Sequence, residues 1–150
     1  MDGNLNPSQR LALLGAIAPQ SAPVGALSSG WIDMRDTFTV LALVALGVLG
    51  GGASVDAKIE QAKDGTGTAV KEVTGAAIAQ ITKAGGGDNK QALINLRQED
   101  LDRNGGFRFV RLTVTVAGAA SQMSAALIGL DPRYGAANAS NVTSVGQVVG

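Results

Sequence analysis

The sequence TVLALVALGVLGGG, residues 39–52, is the most apolar stretch of this 150-residue chain, and its conformation decides the fold class. A membrane-spanning helix needs about 20 consecutive apolar residues. The apolar run over residues 40–49 is about half that length, and the charged residues Asp36 and Asp56 flank it. The length therefore argues against a membrane span and leaves a buried helix or a strand.

Both remaining conformations have support within the stretch. Asp36 could cap a helix, and the Leu and Ala residues favour one. Thr39, Val44 and Val48 are β-branched and favour a strand, and the triple glycine at residues 50–52 is typical of a loop between strands. A run this uniformly apolar has no periodicity of its own, so the neighbouring segments have to decide.

The neighbouring segments alternate between apolar and polar residues. Val55, Ala57 and Ile59 share one face of a half-buried strand, and residues 107–117 carry the strongest strand pattern in the chain. Short strands separated by Gly-, Asn- and Asp-rich turns predict a mainly β protein, an antiparallel sandwich or barrel. Residues 39–49 are then predicted to form a long central strand whose faces are covered by the core and by a second layer or a subunit.

The composition limits the chemistry of the chain. It contains no cysteine and no histidine, which excludes disulfides, cysteine nucleophiles, imidazole base catalysis and the common zinc sites. Twelve basic and twelve acidic residues give a net charge of zero, so neither nucleic acid nor a membrane is expected as a partner. No spacing of carboxylates, serines and lysines forms an acid–base set, and we expect no enzyme and no cofactor.

The ends of the chain differ from its middle. Residues 1–30 hold three of the four prolines and are predicted to form an N-terminal arm, in which a short helix could begin at Pro7. Residues 31–134 are predicted to form the sandwich domain. Residues 135–150 form a C-terminal tail of small, uncharged residues. Residues 70–82 fit either a short helix or two strands.

A weak calcium candidate precedes the strongest strand. Asp100, Asp102 and Asn104 with the following glycine match the first half of a calcium-binding loop. The twelfth position of such a loop should be a bidentate Glu, and here it is Arg111. An acidic hairpin turn, with Asn-Gly supplying a positive φ, explains the same residues.

Five segments in order carry a resemblance to a known group of proteins. They are the entry WIDM, an apolar strand that ends in glycine, a segment containing KIEQAKDGTGTAVKEV, the strand RFVRLTVTV and a last apolar strand near GLDPRY. They lie at residues 31–34, 40–50, 55–75, 107–116 and 125–134. In this order the chain resembles small tailed-phage and prophage proteins that are encoded among head genes.

The resemblance implies a β-sandwich of jelly-roll type on a virion, with extended N- and C-terminal arms in this chain. It implies a capsid decoration or cement protein that stabilises an icosahedral phage head. The expected partners are the major capsid protein and further copies of the chain, commonly as a homotrimer. The expected location is the capsid surface, after synthesis in the host cytoplasm. Subunit contacts are expected at Trp31, Met34, Arg35, Arg133 and Tyr134.

Two other interpretations stay open at this point. A carbohydrate- or host-surface-binding β module would need exposed aromatic side chains to stack on sugars, and the chain has one Trp and one Tyr. A head–tail or tail component is the other, because the Gly-rich ends and the apolar stretch at residues 39–52 depart from the resemblance.

Overall fold

The computed structural model describes residues 4–150 as two antiparallel β-sheets packed face to face. One helical turn, α1 (Pro7–Arg10), precedes the strands, and 3₁₀ turns lie at Gln98–Asp100 and Ala137–Ser140. None of the helices within residues 4–150 has the length and apolar character needed to cross a bilayer. The strands are β1 (Leu11–Ala22), β2 (Gly25–Ser28), β3 (Ile32–Asp33), β4 (Thr37–Leu46), β5 (Ser54–Ala62), β6 (Lys71–Ala77), β7 (Ile81–Thr82), β8 (Gln91–Arg97), β9 (Phe109–Ala117) and β10 (Ser121–Pro132).

The strand order is that of a jelly roll. The first sheet has the order β1-β10-β4-β8, and the second has the order β2-β9-β5-β6, with the two-residue strands β3 and β7 paired to β9 and β5. The chain changes sheet at almost every connection, which winds two Greek keys around one core. The predicted fold class, a mainly β antiparallel sandwich of jelly-roll type, is confirmed.

The apolar stretch that decides the fold lies in β4, which pairs with β10 on one side and with β8 on the other. It is therefore a central strand, as predicted. Val40, Ala42, Val44 and Leu46 alternate along it and are buried. They share one hydrophobic core with residues of the second sheet, among them Leu112 of β9.

The N-terminal region differs from the prediction, because residues 11–28 are strands of the sandwich and not an arm. The strand β1 is an edge of the first sheet and β2 an edge of the second. Pro19 lies where the register of β1 against β10 shifts between Ile17 and Gln20, a position where no ladder hydrogen bond is required of it. Such register shifts also break the alternation that would have marked β1 as a strand.

The predicted short helix is one turn long. It begins at Pro7 as expected, and the Gln9 side chain accepts a hydrogen bond from the backbone N–H of Asn6 at 2.9 Å. It ends at Arg10 because Leu11 is already extended and pairs with Leu130 of β10. Only residues 1–10 of the predicted arm therefore precede the sheets, and residues 1–3 lie outside the described residues.

The C-terminal tail lies against its own chain over its first half. The backbone N–H of Val142 donates to the carbonyl of Leu13 at 2.8 Å, and the N–H of Leu13 donates to Oδ1 of Asn141 at 2.8 Å. These bonds occupy backbone groups on the free edge of β1, the position through which an unprotected sheet would pair with another chain. Residues 70–82, which fitted a helix or two strands, are the strands β6 and β7.

Adjacent residues of β10 allow a direct test of the two-faced sheet. Leu127 is fully buried between the sheets, whereas Ile128 points to the opposite side of the first sheet. We expect Leu127→Ala to lower the free energy of unfolding by about 2–5 kcal/mol because it leaves a cavity in the core. Ile128→Ala should cost about 1 kcal/mol or less. Urea denaturation of both variants measures the difference, and equal losses would contradict this packing.

Candidate functional site

The side of the first sheet that faces away from the core is largely apolar, with Leu and Ala side chains at its centre and the polar residues Thr39, Asn95 and Ser124 around them. We call this surface the apolar face. Cross-strand neighbours place its side chains side by side: Leu43 of β4 lies between Ala126 of β10 and Leu93 of β8. Leu93 is 61% exposed, and the others are half-buried against one another. The large or central members of the face are Leu13, Leu41, Leu43, Leu93, Ala126 and Ile128.

The apolar face carries almost no charge. The strands β1 and β4 contain no charged residue, and β10 has only Asp131 near its end. The strand β8 ends at Arg97 and presents uncharged Gln91 and Asn95 along its outer side. A shallow groove of about 570 Å³ crosses the face between β1 and β4, and Ser144 of the tail forms part of its wall. Nothing that lines this groove is charged.

The outer side of the first sheet is somewhat smaller than one side of a typical protein interface. Four strands spaced by roughly 4.8 Å and about nine residues long span roughly 19 Å by 30 Å. That footprint is close to 600 Å², and a stable protein–protein interface buries about 800 Å² on each partner. The largest apolar patch on a soluble monomer is often functional, and the apolar face is this chain's candidate.

The outer side of the second sheet, which we call the polar face, has the opposite character. Ion pairs cross its strands: Lys58 Nζ lies 2.7 Å from Glu72 Oε1, and Arg111 Nε lies 3.0 Å from Glu60 Oε1. The Trp31 ring covers the guanidinium of Arg111 at 4.6 Å. Charges that are paired and hydrogen-bonded in this way suit a surface that faces water.

Glu60 is the least exposed carboxylate of these ion pairs, with a side chain that is 12% exposed. Burial by itself raises the pKa of Glu60, but hydrogen bonds from the Thr113 hydroxyl and from Arg111 outweigh burial and leave the pKa below its ordinary value. The ionised form of Glu60 therefore stabilises the folded state.

The residues expected at subunit contacts divide into three groups. Arg35 and Arg133 are neighbours, because the Arg133 Nε–H donates to the Arg35 carbonyl at 2.7 Å. Tyr134 follows Arg133 and is 75% exposed. Met34 is 1% exposed, so its side chain belongs to the core and not to the surface. Trp31 lies apart from them, over the polar face.

The weak calcium candidate is not assembled into a site. The Asp100 carboxylate accepts from the backbone N–H of Arg97 at 2.8 Å, while Asp102 pairs with Lys71. The hydrogen bond from Lys71 lowers the pKa of Asp102. Each carboxylate therefore already has a partner within the chain. Within residues 4–150 no group of three acidic residues is placed to hold a metal ion.

Sequence reasoning identified part of the apolar face and missed the rest. The outward residues of β4 lie within the stretch at residues 39–52, and a partner for that side of the strand was expected. The contributions of β1 and β8 were missed. Leu93 was the available signal, because it lies on the polar side of the alternation in QALINLRQ, residues 91–98. An apolar residue at such a position indicates that the position is covered by a partner.

Comparison with known proteins gives likenesses of fold. No family model and no curated protein matches the chain. A structure of Triatoma virus matches over 91% of this chain and 72% of its own, with 6% identity and a TM-score of 0.47. A structure of the Gx strain of infectious bursal disease virus matches over 85% and 33%, with 12% identity and a TM-score of 0.41.

A xylan-binding domain is a further likeness. The CBM22-2 domain of Xyn10C from Paenibacillus barcinonensis matches over 86% of this chain and 94% of its own, with 10% identity and a TM-score of 0.41. At these identities the likeness concerns the fold alone.

The Glu60 ion pair predicts an acid-dependent stability. Since folding lowers the pKa of Glu60 from its ordinary value of 4.5, the stabilisation is complete above that pH and is lost as the pH falls through the lower, folded-state value. We expect Glu60→Gln to lower the free energy of unfolding at pH 7 by about 1–2 kcal/mol and to reduce its loss on acidification.

Glu72→Gln is the matched control for that experiment. Glu72 lies on the same face in an ion pair with Lys58, but its side chain is 66% exposed. Its removal should cost less than about 0.5 kcal/mol. Chemical denaturation between pH 3 and 7 compares the variants, and identical acid profiles for Glu60→Gln and the unaltered protein would refute the assignment.

Proposed function

We propose that this chain is a structural protein of a virus particle, a decoration or cement protein of a phage head, which binds its neighbours through the apolar face. The observation that carries the proposal is the contrast between the two outer faces of the sandwich. An isolated β-sandwich needs polar residues on both. Here one face carries ion pairs and the other carries Leu13, Leu41, Leu43, Leu93 and Ile128.

The contrast between the two outer faces would fix the orientation of the protein on a shell. The apolar face packs on the major capsid protein or on another copy of the chain, and the polar face turns to water. Burial of the apolar face stabilises the assembled shell by mass action, because this chain binds the assembled shell and not the separate capsid subunits. The resemblance of the sequence to head-associated phage proteins supports the same function and a trimeric arrangement.

A carbohydrate- or host-surface-binding module is the second candidate. The observation in its favour is Tyr134, whose ring is 75% exposed. Sugar binding uses aromatic faces that are free to stack. The rings of Trp31 and Phe38 are each covered by a guanidinium at 4.6 Å, from Arg111 and Arg133. One free tyrosine is a small platform, so subunit packing is the better supported function.

The number of copies on a particle tests the proposal directly. A cement protein is expected to sediment with purified particles of the parent phage and to be present in hundreds of copies, in proportion to the icosahedral three-fold positions. Quantitative mass spectrometry against the major capsid protein measures this ratio. About six or twelve copies would place the chain at the neck or tail instead, and absence from particles would reject a virion function.

A charge on the apolar face tests which surface binds. Leu43 lies at the middle of this face, and we expect Leu43→Lys to weaken binding to particles that lack the protein by at least about 30-fold, because an unpaired ammonium group would be buried. The measurement is a binding isotherm by sedimentation. The monomer should remain folded, because the side chain is only half-buried in it.

Thr115→Lys on β9 is the matched control. Thr115 lies near the middle of the polar face, opposite Asp56 on the neighbouring strand, and is half-buried like Leu43. The same introduced lysine should leave particle binding within about twofold, since this surface stays in water. If Thr115→Lys abolished binding and Leu43→Lys did not, the apolar face would not be the interface.

A further inference from the structure

A second candidate binding site lies at one end of the sandwich, away from the middle of the apolar face. A cavity of about 280 Å³ opens where the connection between β3 and β4, the segment after β8 and the end of β10 meet. Its floor is apolar and consists of Met34, Leu101 and Phe107, all of which belong to buried positions. Its rim is cationic.

Four arginines line this cavity, and no acidic residue does: they are Arg35, Arg103, Arg108 and Arg133. Arg35 and Arg108 are neutralised from outside the cavity, since Arg35 Nε lies 3.2 Å from Asp36 Oδ1 and Arg108 Nε lies 2.8 Å from Asp33 Oδ1.

The other two guanidinium groups have no carboxylate partner within residues 4–150. Arg133 donates to neutral oxygens, the Arg35 carbonyl at 2.7 Å and Gln98 Oε1 at 3.3 Å. The Arg103 side chain is exposed and makes no ion pair or hydrogen bond in that part of the chain. The cavity therefore has two cations in excess, on a rim that surrounds an apolar floor.

The site is held in place by hydrogen bonds before any ligand binds. The backbone N–H of Arg133 donates to the Asp36 carbonyl at 2.9 Å, and the Phe38 ring lies 4.6 Å from its guanidinium. Gln98 Nε2 donates to the Thr37 carbonyl at 2.9 Å and also to the Met34 carbonyl. Groups fixed in this way lose little conformational entropy on binding.

We propose that this cavity, the arginine pocket, binds an acidic peptide segment of a partner protein. An apolar side chain of the peptide packs on the parts of Leu101 and Phe107 that line the cavity, while its carboxylates pair with the guanidinium groups of Arg103 and Arg133. The planar guanidinium matches a carboxylate through two parallel hydrogen bonds. The proposal does not depend on the virion function and concerns a different surface from the apolar face.

Two other anionic ligands fit the pocket less well. Inorganic phosphate would pair with the arginines but would gain nothing from an apolar floor. A nucleic acid needs a long track of positive charge to follow its backbone. The excess here is confined to one cavity of a chain with zero net charge. Both serve as probes in the test.

The test is a titration of the ¹⁵N-labelled full chain with a capped heptapeptide of alternating Glu and Leu. Versions with Gln for every Glu and with Ser for every Leu are titrated in parallel, together with inorganic phosphate and a single-stranded oligothymidine. We expect the Glu–Leu peptide to bind and to change the NMR chemical shifts of the backbone amides around the pocket. Both altered peptides should bind at least about tenfold more weakly.

Two charge reversals locate the binding. Arg103→Glu should weaken binding of the Glu–Leu peptide by about tenfold or more. Because the Arg103 side chain is exposed, the substitution should not affect folding. Lys90→Glu changes the net charge equally at the opposite end of β8 and should leave binding within about twofold. Thermal melting of both variants checks that they are folded.

The remaining outcomes overturn the proposal. Equal binding of the Gln and Glu peptides would mean that carboxylates are not recognised. Tighter binding of phosphate than of the peptide would make the pocket a small-anion site, and preference for the oligothymidine would make it a nucleic-acid site. No binding of any probe at millimolar concentration, or an equal effect of Arg103→Glu and Lys90→Glu, would remove the pocket as a binding site.

Discussion

The pairing of β4 with β10 and β8 is the constraint on which this structure depends. It places a strand without a charged residue at the centre of the first sheet, and both of its sides are largely apolar. The inner side contributes Val40, Ala42, Val44 and Leu46 to the core. With only 3% aromatic residues, that core relies on closely packed Val, Leu, Ile and Ala side chains. On the outer side, Leu41 and Leu43 are covered by no further sheet within residues 4–150.

The unequal outer faces connect this constraint to function. The second sheet binds its own charges into pairs, as between Lys58 and Glu72. The first sheet leaves a nearly uncharged surface of about interface size. The chain covers part of one of the two edges of that same sheet, at β1, where the tail hydrogen-bonds to Leu13. Growth of the sheet by edge pairing is thereby restricted, and association through the face is left available.

The arginine pocket adds a different kind of surface. The apolar face offers a broad contact area, whereas the pocket combines an apolar floor with two guanidinium groups, of which that of Arg133 is held in place by hydrogen bonds and that of Arg103 is exposed. Large apolar surfaces supply affinity, and charged groups around a small cavity supply orientation and selectivity. A protein that must sit in one orientation on an assembly benefits from having both. The two surfaces are separate enough to be altered independently.

The sequence by itself determined the mainly β fold and the central position of β4. The alternation at Val55, Ala57 and Ile59 identified a strand next to the apolar run, because burial along a strand follows a period of two. The length of the apolar run argued against a membrane span. It also limited the chemistry through the absence of histidine and cysteine. The jelly-roll class came from a resemblance to known proteins and not from these patterns. The strand β1 was missed, since its register shifts erase the period.

Only the tertiary structure decided which residues meet. Leu93 and Ala126 are 33 positions apart in the sequence and flank Leu43 through strand pairing. Arg35, Arg103 and Arg133 come from three segments and line one cavity. Met34, expected at the surface, is core. Periodicity specifies the face on which a side chain lies relative to its own strand, but the order of strands in a sheet is set by long-range packing, which local sequence does not encode.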